Sequence, residues 1–138
     1  MRIAKEFIWE MSHRLPFHKG GCQNIHGHSY KLRVEVEGNT DSNGMIMDYY
    51  DMSAIMDPVI FQLDHAFIVD ENDELMLSFL KENNFKHYVI DRTTTAENIA
   101  IYLLEIVKPK FANFTNIDKI KIRFHETADV FAEIETDL

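Results

Sequence analysis

One cysteine, Cys22, in 138 residues rules out an intramolecular disulfide, so no covalent staple holds this chain. Three prolines and five glycines are too few for a linker, and no segment is enriched in them. Neither an internal repeat nor a low-complexity stretch is present. No apolar run approaches the ~20 residues that span a bilayer. The opening MRIAKEFIWEMSH carries charges throughout, unlike a signal peptide, so a cytoplasmic protein with no membrane partner is expected. Basic residues are scarce as well, 14 Lys and Arg against 23 Asp and Glu, for a net charge of −9. That balance argues against a nucleic-acid binder, which needs a basic face to meet phosphates. A phosphorylated small molecule is still compatible, because a local basic pocket suffices for it.

What is present points to one soluble domain spanning residues 1–138, with 46% hydrophobic residues to build its core. Residues 1–12 alternate, with Ile3, Phe7, Trp9 and Met11 on one parity and Arg2, Glu6 and Glu10 on the other, which predicts a half-buried strand. Residues 28–38 alternate more cleanly, Tyr30, Leu32, Val34 and Val36 against Lys31, Arg33, Glu35 and Glu37, before a turn rich in Gly, Asn and Asp. From Asp51 the period becomes helical through Met52, Ile55, Met56, Val59, Ile60 and Leu63, with Pro58 expected to kink or restart the helix. A short helical patch surrounds Leu75, Phe79 and Leu80. A third helix is predicted from a Thr94–Glu97 capping box, with Ile99, Ala100, Leu103, Ile106 and Val107 on one face and Pro109 helping to end it. Two more alternating strands carry Ile120, Ile122 and Phe124, then Val130, Ala132 and Ile134. The order predicts an α+β domain, an antiparallel four-stranded sheet with exposed edges that favour assembly into a larger sheet or barrel.

The chemistry concentrates in histidines. His26 and His28 are two apart, so on an extended chain both point to one face, the face of Tyr30 through Val36. His13 ends the first strand in phase with Phe7, Trp9 and Met11. If the two strands pair as a hairpin, the three imidazoles converge at one end, as a catalytic zinc ion with an open fourth position requires. Iron, nickel and copper also accept imidazole, so spacing alone does not choose among them. Cys22, beside the pair, is readable as a base, a fourth ligand or a small apolar filler. Asp64 next to His65 is suited to set a histidine tautomer, though such pairs are common on surfaces. Glu126 shares the parity of Ile120, Ile122 and Phe124, so its carboxylate needs a buried partner, either Arg or Lys or a ligand with two parallel N–H donors.

His13-Arg-Leu-Pro, Cys22-x-x-x-His26-Gly-His28, Gly44-Met-Ile-Met-Asp48-Tyr, Leu63-Asp64-His65, Thr95-Ala-Glu97-Asn98 and His125-Glu126-Thr127 occur in the order seen in the 6-pyruvoyl/6-carboxytetrahydropterin synthase family. The chain resembles that family over essentially its whole length. The resemblance implies a tunnelling fold with helices on one side of the sheet, and trimers or stacked hexamers closing a β-barrel with active sites between subunits. It also implies that His13, His26 and His28 hold zinc (Zn2+), that Cys22 is the general base, and that Asp64 and His65 form a relay. Glu126 would anchor a pterin, and Thr95 and Glu97 match family positions near it. The implied substrate is 7,8-dihydroneopterin triphosphate. The three-residue gap between Cys22 and His26 resembles the 6-carboxy branch of queuosine synthesis more than the 6-pyruvoyl branch, whose gap is longer. A cysteine at 22 argues against a folate-linked branch that carries glutamate there. Residues 70–92 are longer than in the shortest members. No motif fixes the triphosphate contacts, for which Arg14, His18 and Lys19 are the nearby basic candidates. A non-catalytic pterin- or purine-binding module with structural zinc is the reading from another class.

Overall fold

The computed structural model describes all of residues 1–138. Its elements in chain order are β1 (Arg2–His13), β2 (His26–Gly38), α1 (Tyr49–Leu63), β3 (Ala66–Asp70), α2 (Glu74–Glu82), β4 (His87–Ile90), α3 (Ala96–Phe111), β5 (Ile117–His125) and β6 (Phe131–Asp137), with a short 3-10 turn at Gly21–Gln23. They form one sheet of order β4-β3-β1-β2-β5-β6.

The centre of the sheet is a long hairpin. β1 and β2 pair antiparallel without a slip from Arg2 opposite Glu37 to His13 opposite His26. β5 continues the antiparallel pairing on β2, and β6 on β5. Strict alternation then sends Trp9, Met11, Tyr30, Leu32, Val34, Ile120, Ile122 and Phe124 to one buried face. The opposite face carries the charges, laced across strands by pairs such as Arg123 with Glu133 and Lys121 with Glu135. α1 and α3 cover the apolar face with Met52, Met56, Leu63, Ile99, Leu103, Val107 and Phe111. Burying each of these large side chains stabilises the fold by roughly 1.5–3 kcal/mol, which is why both helices hold in spite of internal prolines.

The sheet has six strands rather than the four expected, and it is mixed: β3 runs parallel to β1, and β4 parallel to β3. The two additional strands are short, and the run Ala66–Val69 is buried throughout, so it shows no alternation to read. Ile68 faces the main core while Phe67 and Val69 form a separate small core with Met76 and Leu80 of α2. Thus α2, which fulfils the expected helical patch, covers the other face at this edge. Pro58 does not restart the helix, and α1 runs through it to Leu63. It stands on the exposed side, as does Ala54, whose carbonyl loses its partner to solvent rather than to the core. Pro109 likewise lies within α3, exposed, while the fully buried Phe111 holds the last turn beyond it. The cap of α3 is Thr95, whose hydroxyl accepts from Asn98 N–H at 3.3 Å, so the expected Thr94–Glu97 capping box does not form. No helix is long and apolar enough to cross a membrane.

Gly38 sits where the β2–β5 register shifts, and a Cβ there would lie 2.1 Å from Asn116 O and 2.9 Å from Ile117 Cα. Both neighbours are backbone and cannot swing away. Gly38→Ala should therefore destabilise the protein by about 1–3 kcal/mol in urea unfolding. An unchanged midpoint would mean that the two strands separate freely at that end.

Candidate metal centre

The unbroken hairpin register brings His13, His26 and His28 together at the end of β1 and the start of β2. Their ring centroids lie 4.6 Å (His13–His26), 5.4 Å (His13–His28) and 5.0 Å (His26–His28) apart. One ligand atom from each, with one carboxylate oxygen of Glu126, falls within a mutual 4.8 Å. Glu126 follows the last residue of β5; its Oε1 is 3.2 Å from His28 Nε2 and 4.0 Å from His13 Nε2. Its neighbours are thus the imidazoles, not an Arg or Lys.

The nitrogens themselves argue for an ion. His13 Nδ1 lies 2.8 Å from Thr94 O, and His26 Nδ1 lies 2.8 Å from Asn24 O. A carbonyl only accepts, so both rings donate from Nδ1 and present a bare lone pair at Nε2. Nε2 of His13, His26 and His28 is buried and makes no hydrogen bond, the 3.2 Å approach of Glu126 Oε1 to His28 Nε2 being a close contact without hydrogen-bond geometry. A buried polar atom left unpaired costs about 1–3 kcal/mol, and three at one point call for a common acceptor of lone pairs. Outward Nδ1–H bonds to carbonyls are the usual device for orienting metal-binding imidazoles. Burial pushes the pKa of His13 below the usual histidine value against the pull of the Thr94 carbonyl and Glu126, and His26 and His28 lower it further. Burial also lowers that of His28, with Glu126 opposing. Both shifts favour the neutral form that binds a cation. The donor set fits a divalent metal.

The floor of the site is aromatic. Tyr30 lies fully buried beneath His28, 5.3 Å between ring centroids, and stacks on Phe124 at 5.1 Å. A cavity of about 250 Å³ opens beside Glu126, with Thr95 and Glu97 at the start of α3 on one side and Leu15, Val130 and Phe131 on the other. Because Thr95 is the cap, Glu97 is not bound back to the helix end and stays exposed at this cavity.

Cys22, half-buried, stands in the 3-10 turn before β2, where its carbonyl accepts from Leu15 N–H at 2.7 Å. It is not among the four clustered groups. Asp64 and His65 stand at the C-terminal end of α1 and are not among the clustered groups either. Asp64 Oδ1 accepts from Glu10 N–H at 3.2 Å and sits 2.9 Å from His65 Nδ1. Burial raises the Asp64 pKa, but the Glu10 amide and His65 outweigh it and hold the carboxyl below its ordinary value. His65 adopts φ +57°, a left-handed conformation uncommon for a residue with a Cβ, and its side chain is 76% exposed. The depression it borders is lined by Glu10, Ser12, Gly27 and Ser29 and reaches His28 of the imidazole cluster. Arg14, a candidate for the triphosphate, is already engaged: Asp73 takes its guanidinium at 2.7 and 2.6 Å. His18 and Lys19 are exposed in the 14–25 loop. Thr94 and Asn24 escaped the sequence reading because they act through backbone carbonyls, which leave no mark on residue type.

The fold is the α+β tunnelling fold. The chain belongs to the 6-pyruvoyl tetrahydropterin synthase family, whose model matches residues 2–137. It is 36% identical over 142 residues to the 6-carboxy-5,6,7,8-tetrahydropterin synthase of Haemophilus influenzae, covering 97% of this chain and 98% of that protein. It is 30% identical over 158 residues to the enzyme of the same name from Aquifex aeolicus, covering 98% of each. Among solved structures, the 6-pyruvoyl tetrahydropterin synthase of Plasmodium vivax superposes with a TM-score of 0.75 at 19% identity, covering 100% of this chain and 99% of that one. A protein of Wolinella succinogenes superposes with a TM-score of 0.83 at 22% identity, covering 97% of each. At these identities the structural likeness concerns the fold alone.

His26→Ala removes one donor and should weaken metal binding by more than the roughly 10–100-fold typical of losing a supporting contact. Equilibrium dialysis followed by metal analysis reads this directly, and undiminished occupancy would place the ion elsewhere.

Proposed function

We propose that this chain is a zinc-dependent 6-carboxytetrahydropterin synthase of a single domain. It would convert 7,8-dihydroneopterin triphosphate and water to 6-carboxy-5,6,7,8-tetrahydropterin, acetaldehyde and triphosphate, as in queuosine synthesis. The observation that carries the reading is the trio of buried, unpaired Nε2 atoms beside a cavity walled by Thr95, Glu97 and Glu126. The 36% identity to a 6-carboxytetrahydropterin synthase over nearly the whole chain, together with the Cys22–His26 spacing, supports the 6-carboxy branch.

His13, His26 and His28 would hold the zinc, which supplies Lewis-acid polarisation of the substrate's side-chain hydroxyls. The cavity's lining suits a flat heterocycle: Leu15, Val130 and Phe131 offer apolar contact, and a carboxylate accepts two parallel N–H donors from the pterin edge. Glu126 anchors that edge, and Glu97 and Thr95 line the same wall. Cys22 takes a proton from the side chain as general base, and His65, oriented by Asp64, returns one on the opposite face. That division of labour explains the different settings of the two groups. Cys22 precedes the metal-binding strand, whereas His65, 76% exposed beside Asp64, borders a surface depression that reaches His28 and is open to a neighbouring copy. The functional unit is accordingly a homo-oligomer, a trimer or hexamer, with shared sites.

Incubating the zinc-loaded protein with 7,8-dihydroneopterin triphosphate should yield acetaldehyde and a 6-carboxy product by mass. A 6-pyruvoyl product without acetaldehyde would move the chain to the sister reaction, and no turnover would favour a binding module.

Cys22→Ala and His65→Ala should each abolish turnover while retaining zinc. Mixed and reassembled in equal amounts, they should regain roughly a quarter of wild-type activity, since one in four shared sites is then intact. No recovery from a verified mixed oligomer would mean that each site is built within one chain.

A further inference from the structure

A line of contacts joins the start of α2 to the metal centre. Asp73 is 7% exposed, and its two oxygens take Arg14 Nε at 2.7 Å and Nη2 at 2.6 Å. The Arg14 carbonyl accepts from Thr94 Oγ1 at 3.1 Å, and the Thr94 carbonyl lies 2.8 Å from His13 Nδ1. We propose that Asp73 is a positioning residue of the metal centre, which through Arg14 and Thr94 holds His13 with Nε2 aimed at the ion. The proposal rests on the reading of the three imidazoles as metal ligands.

Capping does not account for Asp73. Its Oδ1 accepts from Met76 N–H at 3.2 Å, a contact that an asparagine or serine makes as well without burying a charge. A nearly buried carboxylate carries a desolvation penalty that the paired guanidinium offsets, and a bidentate fork fixes orientation as a lone ammonium does not. The residue so fixed is the one immediately after His13. His13 also needs such support more than His26 does. His26 takes its Nδ1 partner two residues away, at Asn24, whereas His13 takes its partner 81 residues away, at Thr94. His13 is fully buried as well, so its ring angle depends on how the end of β1 meets the start of α3. The Arg14–Asp73 pair clamps that meeting point from outside. It removes Arg14 from the pool of phosphate ligands and gives it a structural duty instead.

Asp73→Asn keeps the helix cap and the side-chain shape while weakening the fork. Zinc affinity, measured by competition with a chromogenic chelator, should fall about 10-fold. Arg14→Gln should give a similar loss, and the double variant no more than either single change, because one linkage is being cut. The visible absorption bands of the Co2+-loaded variants should shift as the ligand angle relaxes. If Asp73→Asn fails to fold, Arg14→Lys carries the same test, keeping the charge and losing the fork. Unchanged zinc affinity and Co2+ spectrum alongside a lower melting midpoint of the metal-free protein would assign the pair to holding α2 alone and overturn the proposal. Wild-type protein that takes up no zinc would overturn the metal-centre reading and this one with it.

Discussion

Everything in this molecule depends on one alignment, the register of β1 against β2. Side chains alternate along a strand, so sliding either strand by a single residue would turn its whole apolar set outward. In the observed register His13 faces His26, and Met11 faces His28, which puts three imidazoles on one face at one end. The same alignment stacks Trp9, Tyr30 and Phe124 beneath them and sends Glu6, Lys31 and Arg33 to the other side. Core and site are therefore not separate achievements of the fold. The hydrophobic gain that fixes the register also gathers the three imidazoles, and they bear the local cost.

That cost is concentrated. Buried atoms without partners are Nε2 of the three histidines, Trp9 Nε1, the Tyr30 hydroxyl and His125 Nδ1. Four of these six lie on Tyr30 and the imidazoles around it. The burial that lowers the proton affinity of His13 and His28 also pushes that of the Tyr30 phenol upward, with Glu126 adding to it. All three effects favour neutral side chains around the point where a cation would sit. The arrangement is poor for stability in isolation and well suited to a divalent ion, which supplies the missing partner at once.

The legible part of the fold was the part built on periodicity. β1, β2, β5, α1 and α3 carry clean two- or 3.6-residue patterns, and the three histidines were legible because they continue the strand alternation. What escaped was set by tertiary context. β3 is buried on both faces, so Phe67 through Val69 read as a featureless apolar run. Pro58 and Pro109 looked like breaks because local propensity predicts them, but each faces solvent while neighbours such as Val59 and Phe111 are locked in the core. Thr94 and Thr95 exchanged roles by one position: Thr95 caps the helix and Thr94 is turned inward to Arg14. The partnership of Arg14 with Asp73 spans 59 residues and leaves no local trace.

The parallel seam between β1 and β3 is short, with only Met11–Ala66 and Ser12–Phe67 in register. Beyond it lies a small unit of β3, α2 and β4 with its own four-residue core of Phe67, Val69, Met76 and Leu80. Ile68 and Ile90 anchor this unit in the main core, so an opening that parts it from β1 must withdraw both, and amide hydrogen exchange is the observable in which such openings are counted. The Asp73–Arg14 pair crosses from this unit to the end of β1, so an opening of the unit must also release Arg14. Local unfolding at one edge of the sheet and ligand occupancy at the hairpin tip thereby become linked equilibria. By reciprocity, an ion that favours the closed arrangement slows exchange at amides far from any atom it touches.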